Sequence, residues 1–454
     1  MAKRTILLLV ALMFLFSTAA WAGGGEPTTR ELLDEIRALK TRLAELETKV
    51  ASQAGKIDRA EKEVPVREKG KREKGKIENW IKYVPGEGVT IEPVGLRVKT
   101  GATYIVQGTP NANNAGTGED SICDASWKID IDIEKKFDDW GLAFLELEGG
   151  QGDTVNGELA LFSIVNNNAN DTNSRVIVNK FWYEHYLLDK QFTLTCGKLD
   201  PTDYFDQNEY AGDDSYQFLG AIFNNTHAIE WPSANAFGIR GNLCFEPIDF
   251  LDFDLGYLEG NADWEDIFEH GVFMGQVNLK PASILEIDPG QWAGNYRFEC
   301  WVNGRDHTKL LERDKNKEVN YGFGLSCDQM VTDVFGVFGR FNWQRPDLIP
   351  ADGGATIEWS WSTGAQMTGK YWKREEDILA IAVGQDFPSE EYKDAGNPGS
   401  AEGHFEAYYR CQLNDYLAIS PDFQLIWDPN GVGKPADGDD GTIFVYGARA
   451  RLTF

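Results

Sequence analysis

The sequence predicts an all-β protein: a 16-stranded antiparallel transmembrane β-barrel, preceded by a short N-terminal α-helical coiled coil. Three observations carry this. The chain ends Thr442-Ile-Phe-Val-Tyr-Gly-Ala-Arg-Ala-Arg-Leu-Thr-Phe454, which alternates strictly. Phe444, Tyr446, Ala448, Ala450, Leu452 and Phe454 fall on one face, and Val445, Gly447, Arg449, Arg451 and Thr453 on the other. An oily face backed by an arginine-bearing face suits a wall with lipid outside and water inside. Second, alternating segments of this kind recur from residue 94 to the end. Third, the connections between them are short on one side and long on the other, as in outer-membrane barrels.

Composition agrees. The chain has 454 residues, a net charge of −28 and 12% aromatics, with 47 glycines. Many short strands with aromatic girdles fit that mixture better than a helical enzyme does. The acidic balance argues against nucleic acid as a partner, because nothing outside one short basic run could neutralise phosphates.

Residues 1–22 read as a secretory signal: Lys3 and Arg4, an apolar core from Ile6 to Phe16, and Ala20-Trp21-Ala22 at the cleavage point. No later run approaches the roughly 20 apolar residues of a spanning helix, so insertion must be by strands. Residues 23–62 hold a heptad seam through Leu32, Ile36, Leu39, Leu43, Leu46, Val50 and Ile57. The seam predicts a homo-oligomer, and Arg42-Leu-Ala-Glu-Leu-Glu47 favours a parallel trimer. Residues 63–93 form a basic, Pro- and Gly-containing linker with the repeated run REKGK. It reads first as a solvated linker, and second as a contact for an anionic cell-wall polymer.

The barrel occupies residues 94–454. Its strands are expected at 94–107, 121–134, 141–150, 175–187, 191–200, 236–246, 251–261, 269–281, 293–304, 317–327, 332–344, 356–369, 376–386, 401–413, 416–428 and 442–454. Trp127, Ile129, Ile131 and Ile133 against Lys128, Asp130 and Asp132 show the alternation best. Segments 141–150 and 376–386 alternate poorly. Sixteen strands leave roughly 22 residues for each strand with its connection, whereas twenty-two would leave about 16 and no room for a plug. An even count puts both barrel ends, and the coil, in the periplasm. Sixteen strands enclose an aqueous channel.

Charges on the lipid face would cost several kcal/mol near the midplane, so charged wall residues must face water. The channel-lining set is Arg240, Arg297, Glu299, Trp301, Arg340, Glu406, Arg410, Arg449 and Arg451. The longest connection, 201–235, carries Asp203, Tyr204, Phe205, Asp206, Asn208 and Glu209, then Phe218, Phe223 and Trp231. So aromatic a loop cannot sit free in water without cost. It is expected to fold against the mouth or into the lumen as a constriction. Aromatic faces beside planar arginine and carboxylate groups suit a sugar, which has an apolar C–H face and a ring of hydroxyls.

Two segments carry a family resemblance. Leu194-Thr-Cys-Gly-Lys-Leu-Asp-Pro-Thr-Asp-Tyr-Phe-Asp-Gln-Asn208 with the following Phe218-Leu219, and Ser420-Pro-Asp-Phe-Gln-Leu-Ile-Trp-Asp-Pro429 before the last strand, resemble OprB-type carbohydrate-selective porins. The resemblance implies a trimeric outer-membrane porin that passes small sugars into the periplasm by facilitated diffusion, with outer-membrane lipid around it. The alternatives are a general diffusion porin and a structural tether between membrane and cell wall.

No enzyme is expected. His185, His227, His270, His307 and His404 lie far apart, without the HExxH spacing. No P-loop or G-x-S-x-G occurs. Neither metal nor other cofactor is expected. Asp437-Gly-Asp-Asp-Gly441 reads as a solvated acidic loop before it reads as a cation site. Six single cysteines without a CxxC pair suggest no zinc or redox motif.

Overall fold

The computed structural model describes residues 80–113, 121–244, 250–285, 287, 292–433 and 441–454. The signal segment, the heptad seam, the REKGK run and most of the acidic 437–441 turn lie outside the described residues.

Sixteen strands form the barrel wall: β1 (Leu96–Thr109), β2 (Ile122–Phe137), β3 (Gly141–Gln151), β4 (Ile177–Leu187), β5 (Phe192–Leu199), β6 (Ala236–Cys244), β7 (Leu251–Glu259) and β8 (Gly271–Leu279), followed by β9 (Gly294–Lys309), β10 (Glu318–Thr332), β11 (Phe335–Gln344), β12 (Ile357–Gly369), β13 (Arg374–Pro388), β14 (Glu402–Asn414), β15 (Leu417–Trp427) and β16 (Ile443–Thr453). Each pairs antiparallel with the next. Strand β16 closes on β1, with Arg451 opposite Thr103 and Thr453 opposite Gly101. Closure leaves the wall no open edge to satisfy in lipid. Every expected strand is present, with ends shifted by a few residues.

The two faces separate as the alternation requires. In β16, Phe444, Tyr446, Ala448 and Leu452 are exposed, while Val445, Arg449, Arg451 and Thr453 are buried. In β9, Tyr296, Phe298 and Val302 are exposed, while Arg297, Glu299, Trp301 and Asn303 are buried. Aromatic rings gather toward both rims of the outer face. Tyr321, Phe323, Phe341, Trp343 and Trp359 form a chain of ring contacts at the long-loop end. Phe137, Trp140, Tyr183 and His185 do so at the short-turn end. Such girdles sit at the two lipid–water interfaces of a membrane barrel.

The linker expected over 63–93 is corrected at its end. Ile81–Val84 and Gly88–Ile91 form a β-hairpin, and its second strand pairs with the start of β1. The turn is made by Pro85-Gly86, with Gly86 at φ +75° and the Glu87 amide donating to the Val84 carbonyl at 3.0 Å. Proline then glycine is what a type II turn needs, proline fixing one φ and glycine supplying the positive one. Gly88 allows the close pairing, since a Cβ there would meet the Val98 carbonyl oxygen.

Candidate functional site

The segment between β5 and β6 determines what the lumen looks like. It starts in a 3-10 turn, Pro201–Asp203, whose Asp200 side chain accepts from the Thr202 amide at 2.9 Å. From there its aromatics go into the barrel. Phe205 is buried against Leu199, Ile229, Leu258, Val272, Met274 and Trp301. Further along, the Tyr216 hydroxyl reaches Thr453 Oγ1 at 2.5 Å, near the short-turn end. The chain then returns through Phe218 and the short helix α1 (Ala221–Asn224). Phe218, Ile222 and Phe223 pack on Phe338, Ile378, Ala380, Ala382 and Tyr408 of the inner wall. Burying each of these rings contributes about 1.5–3 kcal/mol, which is why an aromatic loop folds inward.

Ion pairs and hydrogen bonds fix both legs. Arg340 on β11 donates from Nε to Asp206 Oδ1 (2.8 Å), from Nη1 to the Phe223 carbonyl (2.6 Å), and from Nη2 to the carbonyls of Asp206 (2.8 Å) and Ala211 (2.6 Å). The other Asp206 oxygen accepts from the Thr226 amide at 2.9 Å. Glu299 accepts from the Asp206 amide at 3.0 Å, and Glu406 from the amides of Leu219 and Gly220 at 2.6 and 2.8 Å. At the long-loop end Glu230 accepts from His307 Nε2 (2.7 Å), Arg305 Nη2 (3.1 Å), Asn320 Nδ2 (2.7 Å) and the Ala351 amide (2.8 Å). Burial alone would raise its carboxyl pKa, but the hydrogen bond from His307 and the amide donors hold it below the usual range.

The structure thus divides the expected channel-lining set. All nine side chains belong to the inner face. Arg340, Glu299, Glu406 and Trp301 are covered by the loop and touch it directly. Arg449 donates to the Asp214 carbonyl at 2.8 Å and lies over the Tyr408 ring. Arg297 pairs with Asp328 at 2.6 Å while lining a cavity. Arg240 pairs with Asp254 and lies 4.5 Å from the centroid of the Tyr204 ring. Arg451 makes two bonds to Asp130 (2.8 and 3.0 Å), and Arg451 and Arg410 both lie over Tyr216. Of the loop residues, Asp203 is bound by Lys180 at 2.9 Å, which opposes the burial that pushes its carboxyl up to about 6. Asn208 donates to Ser326 Oγ and the Cys327 carbonyl at 3.3 and 3.1 Å, and the exposed Glu209 faces water.

The long connection between β3 and β4, residues 152–176, also folds inward, which its Gly- and Asn-rich sequence does not suggest. Its Val165 carbonyl accepts from Gln107 (3.1 Å) and Gln424 (2.9 Å) on the wall, and its Phe162 and Ser163 amides donate to Glu402 at 2.8 Å. It also braces the first loop: the Ala221 amide donates to the Ile164 carbonyl at 2.9 Å, and Asn168 donates to Asp214 at 2.7 Å. The available signal was the run Leu159-Ala-Leu-Phe-Ser-Ile-Val165, too apolar for a loop in water.

Among the described residues, cavities remain inside, two of them bordered by the inward segment on both of its legs. One of about 830 Å³ opens among the long loops and is lined by Phe162, Trp231, Tyr392, Asn397, Arg305 and Asp352 among others. The second, about 460 Å³, lies toward the short turns beside Asp203, Gln207, Asn208, Glu209, Asp213 and Arg297.

A closed sixteen-stranded wall, oily outside and polar inside, with a long segment folded into its lumen, is the architecture of an outer-membrane porin. The sequence profile of the carbohydrate-selective porin, OprB family matches residues 124–454, and the chain belongs to that family. Among solved structures it is similar to the high-pH structure of Pseudomonas putida OprB, with a TM-score of 0.66 at 15% identity, over 79% of this chain and 94% of that one. The outer-membrane channel DcaP of Acinetobacter baumannii matches with a TM-score of 0.49 at 9% identity, over 80% and 97% of the two chains. No curated protein matches the chain.

Proposed function

We propose that this outer-membrane porin passes small sugars into the periplasm by passive diffusion, with the 201–235 segment as its constriction. One observation carries the reading: the segment turns its apolar groups and the carboxylates of Asp203, Asp206 and Glu230 into the wall. What it leaves toward the two cavities is hydroxyl, carboxamide and largely paired ionic groups beside aromatic faces. That inventory matches a neutral polyol, whose hydroxyls exchange hydrogen bonds with water for bonds with the wall. Arg240, Arg297, Arg410 and Arg451 are the charged wall residues placed to meet solute, with Arg340, Glu299, Trp301, Glu406 and Arg449 acting through the loop. The long loops face outside the cell, and the barrel ends and N-terminal coil face the periplasm, where the heptad seam joins three copies.

That same seam favours a second reading, in which the barrel is chiefly an anchor for a tether to the cell wall. Recording from the purified protein in planar bilayers separates the two. Discrete conductance steps are expected, and a protein that inserts without conducting would sink the channel reading.

A further inference from the structure

The two inner cavities have only Thr202 and Asn225 in common among their lining residues. The two residues come from opposite legs of the inward segment. Thr202 sits in the 3-10 turn of the descending leg, where its amide and hydroxyl both donate to Asp200 Oδ1 at 2.9 and 2.7 Å. Asn225 follows α1 on the returning leg, and its amide donates to the Ala221 carbonyl at 3.0 Å. Both positions are held from behind rather than left to swing.

The two carboxylates nearest to this point in the chain, Asp203 and Asp206, are neutralised, while Glu209 and Asp213 line the second cavity as charged groups. Asp203 is bound by Lys180 at 2.9 Å, and Asp206 by Arg340 at 2.8 Å with almost no exposure of either side chain. The Asn225 side chain lies beside Asp206 and helps to keep that carboxyl charged against its burial. What faces the junction is therefore one hydroxyl and one carboxamide. Groups of this kind can replace the water around a sugar's hydroxyls. They offer an ion no counter-charge for the hydration it must shed in a narrow passage.

We propose that Thr202 and Asn225 form the narrowest point of the passage, an uncharged filter that favours neutral polyhydroxylated solutes over ions of similar size. The proposal rests on the channel reading and goes further, assigning selectivity to two residues.

The test uses the full chain in planar bilayers and sugar-loaded liposomes. Asn225→Asp should raise the cation-over-anion permeability ratio at least about threefold, and Thr202→Lys should lower it by a similar factor. Asn225→Trp should cut both conductance and sugar flux at least about fivefold. Asp139→Lys changes a charge on a fully exposed short turn and should leave the reversal potential unmoved. Should one charge variant fail to insert, the variant on the other leg decides. Wild-type reversal potentials in the inserted charge variants, or an Asn225→Trp channel that conducts as before, would overturn the filter. A wild-type protein that does not conduct overturns the channel reading itself, which is a distinct result.

Discussion

Arg340 joins the two legs of the inward segment through one guanidinium, reaching Asp206 and Ala211 on one leg and Phe223 on the other. Only a planar fork with five donors can serve acceptors in so many directions, so lysine would not replace it. Arg340→Ala leaves Asp206 buried without its counter-charge, a loss of about 3–5 kcal/mol. We expect a lower urea midpoint for the refolded protein and larger, noisier current steps, with Arg340→Lys recovering only part of either. His227 gives the segment a pH dependence. Burial opposes charging of its ring, but the Asp386 carboxylate 2.6 Å from Nδ1 outweighs this and raises its pKa. A raised value means a contribution complete below about pH 6.5 and lost as pH rises through the folded-state value. Glu230 has the opposite sign: its lowered value gives a contribution complete above about pH 4.5 and lost on acidification. The segment should resist limited proteolysis best between those limits and open toward alkaline pH. His227→Gln should flatten the alkaline limb; an unchanged limb would contradict this assignment. In the sequence Arg340 was legible as inward-facing and Asp206 as part of a constriction, whereas nothing marked His227 or Glu230. Whether an inward arginine meets solute or loop depends on contacts across more than a hundred residues of chain, which alternation does not encode.

At the scale of elements, two strands that alternate poorly prove informative. Segment 376–386 lacks a polar face because Ile378, Ala380 and Ala382 of β13 point inward under Phe218, Ile222 and Phe223. Water never wets that stretch of lumen, so nothing there requires polarity. In β3 the inward Phe144 stacks on Trp182 with ring centroids 5.0 Å apart, and Trp182 packs against the cluster around Phe205. A weak period in a barrel strand thus marks where an inner loop docks. The 152–176 loop was missed because its run of apolar residues is short and lies between Gly- and Asn-rich turns. Replacing residues 204–228 by a short Gly-Ser bridge should leave a barrel that still inserts, because the strand ladder does not depend on the segment. Its conductance should rise severalfold, and its preference among solutes should fade. A barrel of wild-type conductance would show that the segment does not narrow the passage.

For the whole molecule, the sixteen-strand count was legible because lipid imposes a strict rule. Each spanning residue must face either oil or water, and about 9–11 residues of each strand are needed to cross. The alternation of short and long connections came from the same geometry. The hairpin Ile81–Val84 and Gly88–Ile91 was not legible, since three prolines in that stretch suggested linker and its strands are only four residues each. As a whole, the barrel is built to conduct sugars in preference to other small solutes. Swelling of liposomes that carry the purified protein tests it most directly, comparing a neutral monosaccharide with an amino acid of equal size. Faster swelling in the sugar is expected. Equal rates would reduce the protein to a general pore, and no swelling in either solute would rule out a sugar channel.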